Sequence, residues 1–268
     1  MRLFTLINCL WLVSCFPSAK SSQSLNVTGS STVAPLVAEI AKRFEERYPD
    51  YKINVQTGGS SRGISDAMKG TADIGMVSRA LHQQEQALKH YTIASDGIGL
   101  IAHRDINIED LSHNQVLAIF QGKVKNWLPI TGQNQAITVV HKAQGRSTSE
   151  LFIKHFKLKY QDVDAQIIIG DNEQGIKNVS SIPGAIGYVS IGAAEHAAKQ
   201  GRAIRLVKLE GLQPSTKAVA SGNYPILRPL NLVIKDQSNP DALKFIKFAR
   251  SQEVFDIVRK LDFVPPKI

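Results

Sequence analysis

From residue 25 onward, short apolar runs of strand type alternate with amphipathic helical stretches, and this alternation points to an α/β fold with mainly parallel sheets. After Leu25-Asn26-Val27, the segment from 33 to 48 puts Val33, Leu36, Val37, Ile40, Ala41 and Phe44 on one helical stripe. Residues 51–55 then read as a strand, followed by a Gly-Gly-Ser-Ser-Arg-Gly loop and a short helix through Met68. Further strands are expected at 72–77, 97–102 and 137–140. Ser147 and Glu150 have the spacing of a capping box, and Asn239-Pro240 has the chemistry of a helix start. A last helix is expected from Ser251 to just before Pro265-Pro266. With 268 residues, 43% apolar and 21% charged, the chain can bury one large core or two modest ones.

The first residues read as an address rather than as fold. Arg2 precedes an apolar run too short to anchor stably across a bilayer, which is the shape of a secretory signal. Leu12-Val13-Ser14-Cys15 resembles the bacterial lipobox, which would make Cys15 a lipidation site and tether the protein to a membrane. Ordinary cleavage after Ala19 is the competing reading, and Pro17 suits it poorly. Both cysteines, Cys9 and Cys15, fall in this segment, so the exported body is expected to hold together without a disulfide.

The formal charge of +9 favours anionic partners, yet the Lys and Arg residues are scattered. No zinc-finger spacing, basic-leucine heptad or aromatic RNA-binding motif converts that charge into nucleic-acid recognition. A more specific pattern recurs three times. Gly29-Ser30-Ser31-Thr32, Gly59-Ser60-Ser61-Arg62 and Gly145-Arg146-Ser147-Thr148 each follow a strand and open a helix. Glycine permits close backbone approach, the first helical N–H groups lack intrahelical partners, and the hydroxyls add rotatable donors. A single site of this kind is ordinary N-capping. Three sites with consecutive hydroxyls, converging on one point, could replace the hydration shell of a tetrahedral oxyanion.

Two enzymatic readings compete for the second of these sites. Gly59 to Gly63 matches the G-x-S-x-G nucleophile elbow, with Ser61 as nucleophile and His141, His155 or His196 as base. Only about two strands precede Ser61, however, no HGGG-type oxyanion element exists, and none of the histidines has a triad context. A Walker loop fails because Ile64 stands where Lys is required. An exported serine hydrolase using Ser61 is thus the distant alternative; the expectation is a non-enzymatic binder with no metal or organic cofactor.

The segments VTGSSTVAPLV, TGGSSRGISDAMKGTADIGMVSR, IFQGKVKNW and PGAIGYVS resemble, in the same order, the phosphate-binding proteins of bacterial phosphate ABC transporters. The resemblance implies a type 2 periplasmic-binding fold: two α/β lobes, a two-pass hinge and a ligand cleft between the lobes. By analogy, residues 1–24 are signal and tether, 25–98 plus 226–268 form lobe I, and 99–225 form lobe II. The implied ligand is inorganic phosphate and the implied partner a membrane permease. A cleft that opens and closes fits a monomer, periplasmic or otherwise extracytoplasmic.

Carried over by position, the phosphate cradle falls on Ser31 and Thr32, on Ser60, and on Arg146, Ser147 and Thr148, with Lys142 in the place of a usual cation. Some family members carry an Asp after the third strand that accepts the proton of hydrogen phosphate; here that region reads Met76-Val77-Ser78-Arg79, with Ser78 or Arg79 in its place. The expectation is that Asp96 replaces it, paired with Arg79 and facing the ligand; the alternative is that Asp96 only caps a turn before Gly97. The missing Asp also leaves open a receptor for another oxyanion, or a phosphate sensor without transport.

Overall fold

The computed structural model describes residues 23–235 and 239–266. Cys9 and Cys15 lie outside the described residues. In chain order the elements are β1 (Gln23–Gly29), α1 (Ala34–Arg47), β2 (Tyr51–Thr57), α2 (Ser60–Lys69), β3 (Ile74–Val77), β4 (Lys89–His103) and β5 (Asp110–Leu111). They continue with α3 (His113–Phe120), α4 (Leu128–Thr131), β6 (Thr138–Lys142), α5 (Ser147–His155), β7 (Ile167–Ile169), α6 (Asn172–Ser181), β8 (Ala185–Ser190) and α7 (Ile191–Lys199). The last are β9 (Ile204–Leu209), α8 (Thr216–Ser221), β10 (Leu227–Ile234), α9 (Pro240–Ala249) and α10 (Phe255–Lys260).

The strands run in the order β2-β1-β3-β10-β4-β8-β6-β7, with β9 beside β4 and β5 beside β9. Parallel pairing holds at the flanks, where β1 pairs with β2 and β3, and β6 with β7 and β8. The middle departs from the expected parallel sheet: β10 is antiparallel to β3 and β4, and β4 is antiparallel to β8 and β9. The long β4 is the reason. Its stretch Lys89–Gly97 pairs with β10, and Ile98–His103 pairs with β8 and β9, so one strand serves two sheets. Asp96, for which capping a turn before Gly97 is the alternative in sequence, lies inside this strand, where Arg228, directly opposite on β10, neutralises it.

Each sheet has its own apolar packing. On one side, Leu36, Ile40 and Phe44 of α1 pack with Ile74, Leu232, Phe245 and Ile257. Phe44 meets Phe245 edge-on at 5.2 Å between ring centroids, and truncating so central a ring costs about 3–5 kcal/mol. On the other, Leu100, Trp127, Phe152, Tyr188 and Val207 form one face, while Ile101, Val140, Ile176 and Val189 form the opposite face. These are the two lobes of a type 2 periplasmic-binding fold. β4 passes between them once, and the chain returns before β10, where the Ile98 N–H donates to the Ile226 carbonyl at 2.9 Å.

Helix α2 is pressed unusually close to its sheet. A Cβ added at Gly63 would stand 2.7 Å from the Met76 carbonyl, 2.8 Å from that of Thr28 and 2.9 Å from Gly29 Cα. One at Gly75 would reach the Gly63 carbonyl at 2.4 Å. Glycine at these positions brings the start of α2 level with the ends of β1 and β3.

Candidate functional site

Three helix starts meet at one point. At the end of β1, Gly29 adopts φ +133°, and its carbonyl accepts from both Gly58 N–H (2.8 Å) and Gly59 N–H (2.9 Å), which ties the second loop to the first. Ser30 Oγ accepts from the backbone of Thr32 at 3.2 Å and donates to Ser78 Oγ at 2.8 Å. Ser60, buried at the first position of α2, accepts from Ser78 N–H at 3.1 Å and donates to Ser147 Oγ at 3.2 Å. Ser147 in turn lies 2.6 Å from Ser78 Oγ. Ser31, Thr32, Gly59, Lys142, Arg146 and Thr148 complete the wall of the small cavity here.

This arrangement displaces the expected capping box. Arg146, not Ser147, occupies the N-cap of α5 and makes no side-chain cap bond. Ser147 is turned into the cavity, and Glu150 reaches away to Arg79 at 2.9 Å.

Arg79 and Asp96 do not form the expected pair. Arg79 is buried against Glu85, to which its two terminal nitrogens donate at 2.7 and 2.9 Å, and against Glu150. Burial alone would lower its pKa; Glu85 and Glu150 more than offset that and leave it raised. Its guanidinium is therefore committed to carboxylates and does not line the cavity. Asp96 belongs to Arg228, with Oδ2 accepting from Nε at 3.0 Å and Nη2 at 2.8 Å, while Oδ1 accepts from Gly192 N–H at 3.2 Å. The register explains the pairing, because Asp96 and Arg228 are Cα partners across β4 and β10. Both oxygens are engaged, and Asp96 is not among the residues that line the cavity.

Arg228 is the residue that sequence reasoning missed. It donates to Thr148 Oγ1 at 2.9 Å and to Thr32 Oγ1 at 3.2 Å, one hydroxyl on each side of the cleft. Thr32 Oγ1 also accepts from Asn172 Nδ2 at 3.1 Å. With two bonds accepted, that hydroxyl has only its proton left to offer. A lone arginine in the apolar strand LRPLNLVI was the available signal. Asn172, at the start of α6, also accepts from Lys142 Nζ at 3.0 Å. Lys142 is 1% exposed, and burial, with Arg228 and Arg146 adding to it and Asp171 opposing, holds its pKa well below the ordinary lysine value.

The hydrolase alternative finds no support in the geometry. Ser61 is exposed, and its hydroxyl lies 3.5 Å from Glu150 Oε1. The three histidines are engaged elsewhere: His141 at Tyr188 Oη (2.7 Å), His155 beside Phe156, and His196 near Asp262. A larger neighbouring cavity between α1, α6 and α7 shares Ser31 and Thr32 but is mostly apolar. Within it Arg202 is paired with Glu173, so charge does not converge there.

The PBP superfamily domain matches residues 16–253. The phosphate-binding protein PstS of Bacillus subtilis (strain 168) is 29% identical over 252 residues, which cover 92% of this chain and 82% of that protein. Among solved structures, one described as a phosphate ABC transporter substrate-binding protein with bound phosphate, from Clostridium perfringens, superposes with a TM-score of 0.84. It is 31% identical, and the match covers 91% of this chain and all of that one. An ABC-type phosphate transport receptor from Vibrio cholerae gives 0.74 at 26% identity, covering 90% of this chain and all of the other.

Proposed function

Because the chain belongs to the PBP superfamily, we propose that it is an extracytoplasmic receptor that captures inorganic phosphate and delivers it to an ABC permease. The observation that carries this reading is the convergence of three hydroxyl-bearing helix starts on one cavity whose side chains donate. Ser30, Ser31, Thr32, Ser60, Ser78, Ser147 and Thr148 supply hydroxyls, the α2 and α5 starts supply N–H groups, and Arg146 supplies charge. Arg228 orients Thr32 and Thr148, and Asp96 holds Arg228. Arg79 is buried and pairs with Glu150 of α5 rather than with the ligand.

In this reading lobe I comprises residues 25–98 and 226–268 and lobe II residues 99–225. Closure about the two crossings brings donors from both lobes onto one dianion. The role requires no covalent chemistry and no cofactor, and a single copy suffices. Export through the N-terminal signal, with Cys15 as lipid tether, would hold the receptor near its permease. Calorimetric titration of the processed chain, stripped of bound anion, with phosphate tests the proposal: tight one-to-one binding is expected, and no binding refutes it. A receptor for another tetrahedral oxyanion is the second reading, favoured by the lack of a carboxylate on the cavity wall.

A further inference from the structure

The end of β3 meets the first turn of α5 at two points. Ser78 Oγ lies 2.6 Å from Ser147 Oγ on the cavity wall, and the next residue, Arg79, faces Glu150, three positions after Ser147. Only the first point belongs to the cradle, because neither Arg79 nor Glu150 lines the cavity.

Arg79 is held ready on its own side. Nη1 and Nη2 donate to Glu85, Nη1 also donates to the Ala80 carbonyl at 3.0 Å, and Glu85 is fixed in turn by the His82 N–H at 2.8 Å. Asn231 of β10 anchors the Arg79 carbonyl at 3.0 Å. That leaves Nε, which stands 2.9 Å from Glu150 Oε2. The two atoms are not aligned for a hydrogen bond, and neither has another partner among the described residues, so charge holds the contact. The other groups facing this carboxylate are Ser61 Oγ, 3.5 Å from Oε1, and His82 Nε2, 3.7 Å from Oε2. All three residues sit on the lobe opposite α5, so the contact exists only while the lobes are closed.

Resting on the phosphate reading above, we propose that Glu150 is a positioning residue for the ligand: by closing onto Arg79 it locks the first turn of α5, keeps Ser147 over Ser60 and Ser78, and slows the release of phosphate. Plain electrostatics predicts the reverse. A carboxylate in the first turn of the helix whose start faces the anion repels a dianion, so removing its charge would tighten binding. The grip predicts weaker binding, and the sign decides between the two. The Arg79 side chain is 4% exposed and that of Glu150 31%, so solvent screens this pair less than one on the open surface. The open form meets the ligand before the pair exists, and its loss therefore falls on release rather than on capture.

The test loads the processed wild-type chain, Glu150→Gln and Glu150→Asp with radiolabelled phosphate and follows release into excess unlabelled phosphate, with Kd from equilibrium dialysis giving the association rate. Gln keeps the length of the side chain and removes its charge. Asp keeps the charge in the first turn of α5 but falls one methylene short of Arg79. Release about 3- to 10-fold faster is expected in both variants, with association unchanged within about twofold. Release as slow as wild type, or slower, in E150Q overturns the inference. Wild-type release in E150D overturns it as well, because the charge would then act without reaching Arg79. These results concern a protein that binds phosphate; absence of phosphate binding by the wild type would instead overturn the receptor reading, and this inference with it.

Discussion

Replacing Arg228 by Met probes the arginine that links strand pairing to the cradle. Its side chain and that of Asp96 are 0% and 1% exposed, so the substitution leaves a carboxylate buried with only the Gly192 N–H for company. Breaking a buried pair from one side costs about 3–5 kcal/mol. At a urea slope of about 3 kcal/mol/M, the unfolding midpoint should fall by about 1–1.7 M. Thr32 and Thr148 also lose the donor that orients them, and a penalty of about 1.4–2.8 kcal/mol there weakens phosphate by roughly 10- to 100-fold. The double variant Arg228→Met/Asp96→Asn separates the two effects. It removes the stranded charge, so more than half of the lost stability should return while phosphate binding stays weak. Urea titration and calorimetry on the three proteins read both quantities. A single variant that loses under about 1 kcal/mol, or a double no more stable than the single, would refute the electrostatic argument. Recovery of affinity in the double would refute the orienting role.

Two further predictions rest on other parts of the fold. Burial lowers the His141 pKa from 6.5 to about 4, so below pH 6.5 the unfolded chain binds a proton that the folded chain refuses. Stability present above pH 6.5 should be lost as pH falls towards 4, by on the order of 3 kcal/mol, and His141→Gln should flatten that part of a stability-versus-pH curve. Gly63→Ala drives a methyl into the Met76 and Thr28 carbonyls. A loss of about 1–3 kcal/mol in chemical denaturation is expected, with weaker phosphate binding because Ser60 moves with α2.

What was legible in the sequence was what neighbours in the chain determine. Glycine followed by hydroxyls at a strand end is a local signal, and all three such starts came together through Ser30, Ser60 and Ser147. Asn239 caps α9 as its Pro240 neighbour suggested, accepting from Asp241 and Ala242 N–H at 3.1 Å each. The partner of Asp96 could not be read that way. Arg228 is 132 positions further along, and the two meet only because β10 enters the sheet antiparallel between β3 and β4. Arg79 shows the converse: its carboxylate, Glu85, is six residues on, and a local pairing removed it from the ligand site. The Ser147–Glu150 box failed because both side chains had stronger claims across the cleft, on Ser60 and Ser78 in one case and Arg79 in the other.

The glycine contacts between α2 and its sheet have a consequence for how such a protein can change. With backbone against backbone at Gly29, Gly63 and Gly75, the helix that presents Ser60 cannot slide or tilt to admit a wider guest. One jaw of the cleft is then a fixed gauge. Adaptation to a bulkier oxyanion would have to come from trimming the hydroxyl side chains or from resetting the angle at which the two lobes meet.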